Sequence, residues 1–336
     1  NREFVFNKSL TIIYGQNARG KTNILESIYF ISNGSGFRES KESELLSFDI
    51  KIGLGSVEGM YKSTTGSFRN KITLRRQGES VEKIFFVNNT KRRSSQYIED
   101  QIKTVLFSPE QMELITGSPD KRRVYFNRCI SFYDPEYKKR VDNYDTALRK
   151  RNKVLEMHKD RSAVLKELEY WNDYLIEQAN YITKIRQEYI LFLNNNPSLD
   201  HKSFTIDYKK NIFSRERLKE KEELELRIRK TVIGPQKDDF EIYIKVDSSN
   251  GKSVHHFGSR SEQRFAILWL KLCEIKYHEG LKKQKPILLL DDVFSEFDAK
   301  NKKIILELVQ DYQSILTTTE KVITELKGFT KTIIKL

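Results

Sequence analysis

Two segments near opposite ends of this sequence have to meet at one point in space. The first, GQNARGKT from Gly15 to Thr22, fits the P-loop spacing G-x-x-x-x-G-K-[ST] at every required position. It lies between a short β-rich apolar run, Leu10 to Tyr14, and a helix start, Asn23 to Phe30, so the glycine-rich loop falls at a strand-to-helix turn. Backbone N–H groups converge there, Gly15 and Gly20 let the loop wrap an anion, Lys21 meets terminal phosphates and Thr22 is placed to hold Mg²⁺. Asn17 and Asn23 complete this candidate nucleotide-binding set. The second segment is PILLLDDVFSEFD, Pro286 to Asp298, in which Ile287 to Leu290 reads as a strand buried on both faces. At the carboxyl end of such a strand, Asp291 is placed for the metal shell and Asp292 to polarise an attacking water. The lesser alternative for the paired Asp is a cap on the next helix. Lys21 and Asp291 are 270 residues apart, yet both must serve one phosphate group. The material between them therefore leaves the sheet and comes back: the fold expected is α/β, with its P-loop unit split by an insertion.

A third segment narrows the class. Gly258-Ser259-Arg260-Ser261-Glu262-Gln263-Arg264, followed by the helical run FAILWLKLCEI, resembles the signature motif and signature helix of ABC-type ATPases, and Ser295-Glu296-Phe297-Asp298 resembles their D-loop. By itself, Ser259 before a helical run reads first as an ordinary N-cap. The signature has the variant form of the RecF family, and more of the chain is similar to that family. Asn1-Arg2 and the strand after them resemble the end of its opening strand. Leu114 to Arg123 resembles its L-x-x-G-x-P-x-x-R-R segment, and Gly234-Pro235-Gln236-Lys237-Asp238-Asp239 resembles its G-P-H-R-D-D. Departures are Ala18 where the family usually has Gly, Ser261 where it usually has Gly, and Glu262 where ABC proteins commonly have Gln. The chain start is read as lacking its natural N-terminus.

The resemblance implies an ABC-type ATPase head, a split P-loop mixed sheet with an inserted helical arm domain. The expected division is 1–120 for the first part of the head, 121–230 for the arm, and 231–336 for the part with the signature and the acidic strand. It implies ATP and Mg²⁺ as cofactors, slow DNA-stimulated hydrolysis with Asp292 and Lys21 as catalytic residues, and Thr22 and Asp291 as metal ligands. Ser259 and Asp298 join Gly15, Asn17, Gly20, Lys21, Thr22 and Asn23 around the nucleotide. It further implies a homodimer closing with ATP on duplex or gapped DNA, RecO- and RecR-like partners, and placement of RecA recombinase at gaps.

Within the insert, apolar residues recur at steps of three and four. They run Tyr137, Val141, Tyr144, Leu148, Leu155, and after a polar break Leu168, Trp171, Leu175, Ile182, Ile185, Tyr189, Phe192. Asn194-Asn195-Asn196-Pro197 stops the second helix. Two such helices predict an antiparallel hairpin of some 30–45 Å, far short of SMC coiled-coil arms. Arg215 to Lys230 predicts one more amphipathic helix with a solvated mixed-charge face. The formal net charge is +13, and between Lys121 and Arg161 thirteen Lys or Arg stand against six Asp or Glu, a surplus of seven. Clusters at Lys121-Arg122-Arg123, Lys138-Lys139-Arg140 and Arg149-Lys150-Arg151 are the candidate phosphate track, with a solvated basic face as the plain alternative.

Cys129 and Cys273 are isolated, and the five His form no ligand pattern, so neither a zinc site nor a disulfide framework is suggested; His255-His256 reads as loop. With a mean hydropathy of −0.61 and no apolar stretch of about 18 residues, no membrane span is expected, and the cytoplasm is the default. Two other readings stay open: a non-hydrolysing structural clamp glued by ATP, and the nucleotide-binding subunit of a transporter.

Overall fold

A computed structural model describes residues 2–38, 46, 53–63, 66–78, 80–99, 101–157, 160–246, 251–282, 284–296, 299–319 and 330–336. The chain divides into two compact units, Asn1–Gln111 with Glu274–Leu336, and Met112–Cys273. The expected partition at 120 and 230 instead placed the signature with the second part of the head. Gly258 to Arg264 in fact groups with the inserted unit, whose sheet and arm are joined by shared side-chain networks.

The first unit is built on a five-stranded sheet in the order Lys331–Lys335, Leu10–Tyr14, Ser314–Thr318, Ile287–Asp291, Thr104–Phe107. Every pairing in it is parallel. Ile287–Asp291 and Ser314–Thr318 are buried along their whole length, which is why Ile287 to Leu290 lacks the alternation of a half-exposed strand. A second, antiparallel sheet of Leu54–Ser63, Gly66–Gln77, Ser80–Val87 and Thr90–Arg92 stands apart from it, so the parallel and antiparallel components segregate. The helix Lys21–Asn33 serves both cores. Leu25 and Tyr29 pack with Ile13, Leu289 and Ile315, whereas Phe30 and Ile31 pack with Ile72, Leu74 and Phe85. Its apolar residues thus occupy a broad stripe that buries it between two layers. Residues 2–7, expected to end an opening strand, carry no strand pairing; the first strand is Leu10–Tyr14.

In the second unit, Pro135–Glu156 and Arg161–Asn194 form the arm. Asp134 caps the first helix by accepting from Tyr137 N, and Asp160 caps the second by accepting from Ala163 N. Cross-helix partners run in opposite order: Arg186 donates to Tyr137 Oη, Arg140 to Gln178, and Arg151 to Asn172. The pair is therefore the expected antiparallel hairpin. Its second helix has 34 residues, about 51 Å, longer than anticipated because it starts at Arg161 rather than near Leu168. A third helix covers Arg215–Ile228, burying Leu218 and Glu225.

This unit also holds an antiparallel sheet that periodicity did not reveal, in the order Lys252–Ser253, Asp239–Val246, Lys202–Lys209, Ser198–Leu199. Phe126 stacks on Phe240 at 4.2 Å between ring centroids, and Tyr208 stacks on it at 5.0 Å. His255 and His256 belong to a one-turn helix, Val254–Phe257, rather than a loop. Among the described residues no helix is long and apolar enough to cross a membrane.

Candidate nucleotide site and signature

All parallel strands point their carboxyl ends to one edge, where ligands gather in open α/β sheets. Register does the rest: Asp291 lies opposite Thr317, and Tyr14, the residue before the loop, lies opposite Thr318. The loop and the acidic strand are thereby brought together across Ser314–Thr318. Thr22 Oγ1 donates to Asp291 Oδ1 at 3.1 Å, and Thr317 Oγ1 donates to the same oxygen at 2.6 Å. Lys21 is buried, and its Nζ donates to the carbonyls of Gly15 at 2.8 Å and Gln16 at 2.9 Å, which holds the ammonium inside the curl of the loop.

Gly20 caps the helix in the left-handed region, φ 89°, where a side chain is strained. Ala18 is also left-handed, φ 63°, which accounts physically for the glycine usual at that position and leaves this chain with a local cost of about 1 kcal/mol. Asp292 stands at φ 48°, its N–H donating to Thr317 Oγ1 at 3.1 Å. Burial pushes the Asp291 carboxyl up, and the two threonine hydroxyls only partly offset it. An adjoining cation would relieve that penalty.

The cleft above this edge measures about 390 Å³ and is lined by Asn17, Ala18, Gly20, Lys21, Thr22, Asn23, Arg38, Pro109, Glu110, Asp291, Asp292, Thr317 and Thr319. It gathers the candidate P-loop and acidic residues, with Gly15 just beneath them holding Lys21. Arg38, Glu110 and Thr317 were missed by sequence reasoning. Arg38 donates to Asn23 Oδ1 at 2.6 Å and pairs with Glu26, an arrangement with no local motif to announce it. Asp298 lies outside the described residues, as do the side chains of Ser295 and Glu296.

Ser259 is exposed ahead of the helix Arg260–Lys282, within the second unit. Its N–H donates to Glu262 Oε2 at 2.7 Å while Glu262 N–H donates to Ser259 Oγ at 3.3 Å, a reciprocal capping box. Gly258 is required by packing, because a Cβ there would stand 2.4 Å from the Val254 carbonyl oxygen.

The proposed phosphate track needs correction. Arg151 is 2% exposed: it pairs with Glu225 at 2.7 Å and donates to Asn172 and Thr231, so it cannot reach a phosphate. Arg122 is held by Asp239 in a fork of 2.7 and 3.1 Å, and Arg123 donates to the Asp238 carbonyl at 2.7 Å and pairs with Asp120. The two family-like segments Leu114 to Arg123 and Gly234 to Asp239 thus bind each other. Asp238 is itself buried against Arg186 at 2.6 Å, and Tyr208 and the Asn211 N–H donate to it. Lys138, Lys139, Arg149 and Lys150 are exposed on the first arm helix. Changing Arg151 to Met is expected to cost about 3–5 kcal/mol, since Glu225 would stay buried without its countercharge, and equilibrium urea unfolding measures that loss. A change within about 1 kcal/mol would mean the pair is not structural.

A family model described as the RecF/RecN/SMC N terminal domain matches residues 1–333. The chain is 35% identical over 337 residues to a protein named DNA replication and repair protein RecF from Caldanaerobacter subterraneus subsp. tengcongensis, covering 94% of this chain and 89% of that relative. A solved structure titled as the recombination mediator protein RecF with ATP in the RecFOR pathway superposes with a TM-score of 0.84 at 31% identity, over 99% of this chain and 93% of the other. An Smc head domain with a coiled coil and joint from Pyrococcus yayanosii shares the fold at a TM-score of 0.51 and 14% identity, over 98% and 90% of the two chains.

Proposed function

The chain belongs to the RecF family, an ABC-type ATPase fold, and from that premise we propose that it is an ATP-dependent DNA-binding ATPase of DNA replication and recombinational repair. Two chains close head to head with two ATP molecules between them, the P-loop of each facing the signature Ser259 of the other. Closure takes place on duplex or gapped DNA, slow DNA-stimulated hydrolysis reopens the pair, and with RecO- and RecR-like partners in the cytoplasm the cycle places RecA at gaps. The observation that carries this reading is the Thr22–Asp291 hydrogen bond beside Lys21, which joins segments 269 residues apart into one phosphate-sized edge.

The donor set fits Mg²⁺: a hydroxyl from Thr22 and a carboxylate from Asp291 are hard oxygen ligands, and phosphate oxygens and water complete the shell of such an ion. Bound there, the ion would neutralise charge on the transferring phosphoryl group. Asp292 is the candidate to orient and deprotonate the attacking water, and Lys21 to hold the terminal phosphates. The RecF-like arm, and its exposed basic row in particular, favours this reading over a transporter subunit. Turnover with and without gapped DNA, measured alongside oligomeric state, separates it from a non-hydrolysing clamp. Dimerisation without any turnover would move the clamp ahead.

DNA binding rests on the exposed cations of the first arm helix. Lys138 and Arg149, and likewise Lys139 and Lys150, are eleven residues apart on Pro135–Glu156, three turns or about 16 Å along one face. Reversing these four to Glu, with Arg151 left alone, is expected to weaken binding to unrelated duplexes equally, by tenfold or more. The log–log salt slope should fall by about one unit for each phosphate no longer neutralised. Nucleotide affinity should not change. An unaltered salt slope in the fourfold variant would remove this face from the DNA surface.

A further inference from the structure

The signature carries a carboxylate where the proposed dimer brings in a phosphate. Glu262 is the third residue of the helix Arg260–Lys282, and its Oε2 accepts the Ser259 N–H at 2.7 Å. Burial raises the Glu262 carboxyl, but the Lys252 ammonium and the Ser259 donors outweigh it and hold the group below the usual carboxylate range, so it is ionised at neutral pH. In the closed dimer, the Ser259 hydroxyl would receive the terminal phosphate bound to the partner chain. A bare carboxylate one hydrogen bond from Ser259 opposes that anion.

One cation answers it. Lys252, on the short strand Lys252–Ser253, donates to Glu262 Oε2 at 3.0 Å and lies 2.9 Å from Oε1, so both carboxylate oxygens are engaged. The strand is pinned by its register, Lys252 opposite Ile244 and Ser253 opposite Tyr243. Ser253 in turn accepts the His256 N–H at 3.4 Å and donates to Glu241 at 2.6 Å. Lys252 therefore reaches the signature from a fixed support. At 42% side-chain exposure it remains near enough to solvent to face an incoming anion, while Glu262 is 17% exposed.

We propose that Lys252 is a positioning residue for ATP-driven dimerisation: it holds the Glu262 carboxylate in the capping box and cancels its charge where the partner's terminal phosphate docks. This rests on the ATP-closed dimer of the proposed function. Two such signatures meet two phosphates in a twofold dimer, so the effect on association enters twice.

The test is a double-mutant cycle read by sedimentation velocity across an ATP titration. Lys252→Met keeps the stem and removes the charge; it is expected to raise the ATP concentration needed for half-dimerisation by about tenfold. Glu262→Gln keeps the capping geometry without charge, and in that background Lys252→Met should shift the midpoint less than about twofold. A purely structural role for Lys252 would not be rescued in this way. The proposal is overturned if Lys252→Met dimerises like the wild type, or if its defect persists in the E262Q background. A wild-type chain that stays monomeric with ATP overturns the dimer reading, and this inference with it. Thermal unfolding and nucleotide affinity of the single chain serve as controls, because the P-loop lies in the other unit.

Discussion

Replacing Lys21 with Ala is expected to weaken nucleotide binding at least about a hundredfold and to leave the fold in place. The side chain is buried at the start of the helix Lys21–Asn33, and its ammonium already donates to two loop carbonyls, those of Gly15 and Gln16. That holds it at the place an incoming phosphate would occupy, toward which it can turn its donors, and hydrogen bonds between charged groups contribute about 1.5–3 kcal/mol each. Loss of two such bonds amounts to about 3–6 kcal/mol, hence two to four orders of magnitude in affinity. The cores under the helix depend on Leu25, Tyr29, Phe30 and Ile31 instead, so the variant should unfold at a temperature close to that of the wild type. Titration with a fluorescent nucleotide, paired with thermal unfolding, measures both quantities. Wild-type affinity in the variant would take Lys21 out of the site.

The P-loop and the acidic strand were legible in the sequence because their chemistry is local: a loop of fixed spacing, and two carboxylates directly after an apolar run. The sheet register then brings Thr22 and Asp291 within 3.1 Å of each other. The basic track was misread for the opposite reason. Charge counted along a helix records no partner, and the partners here are remote in sequence, Asp239 for Arg122 and Glu225 for Arg151. Lys138, Lys139, Arg149 and Lys150 keep the exposure that binding a phosphate needs, and Lys121, also exposed, is paired with Glu113 at 2.8 Å. Burial could not be inferred from Arg151 itself, since its neighbours Arg149 and Lys150 face solvent on the same turn.

The same limit hid the sheet of the inserted unit. Its strands Lys202–Lys209 and Asp239–Val246 flank a charged helix, and Asp238, the residue that locks arm to sheet through Arg186, stands out in sequence only as part of the family-like segment Gly234 to Asp239, with no sign of its partner. Arg38 escaped notice because its role depends on Asn23 and Glu26, 15 and 12 residues back in the chain on another element, not on any pattern around itself.

Substituting Ser259 with Arg is expected to abolish ATP-induced dimerisation while sparing nucleotide binding by the single chain. Ser259 is exposed at the head of the signature helix, and its hydroxyl takes part in the capping box with Glu262. Arginine removes the hydroxyl and the capping box together and adds a long side chain at the surface where the second chain must close. The backbone cannot shift to make room, because Gly258 already sits against the Val254 carbonyl and the N–H of Gly258 bonds to that carbonyl at 3.2 Å. The P-loop belongs to the other unit, so nucleotide affinity is expected to stay within about twofold. Sedimentation velocity with ATP should then find the variant monomeric where the wild type is dimeric. A variant that still dimerises would show that the interface lies elsewhere on the chain, and the pairing of each P-loop with the opposite Ser259 would have to be abandoned.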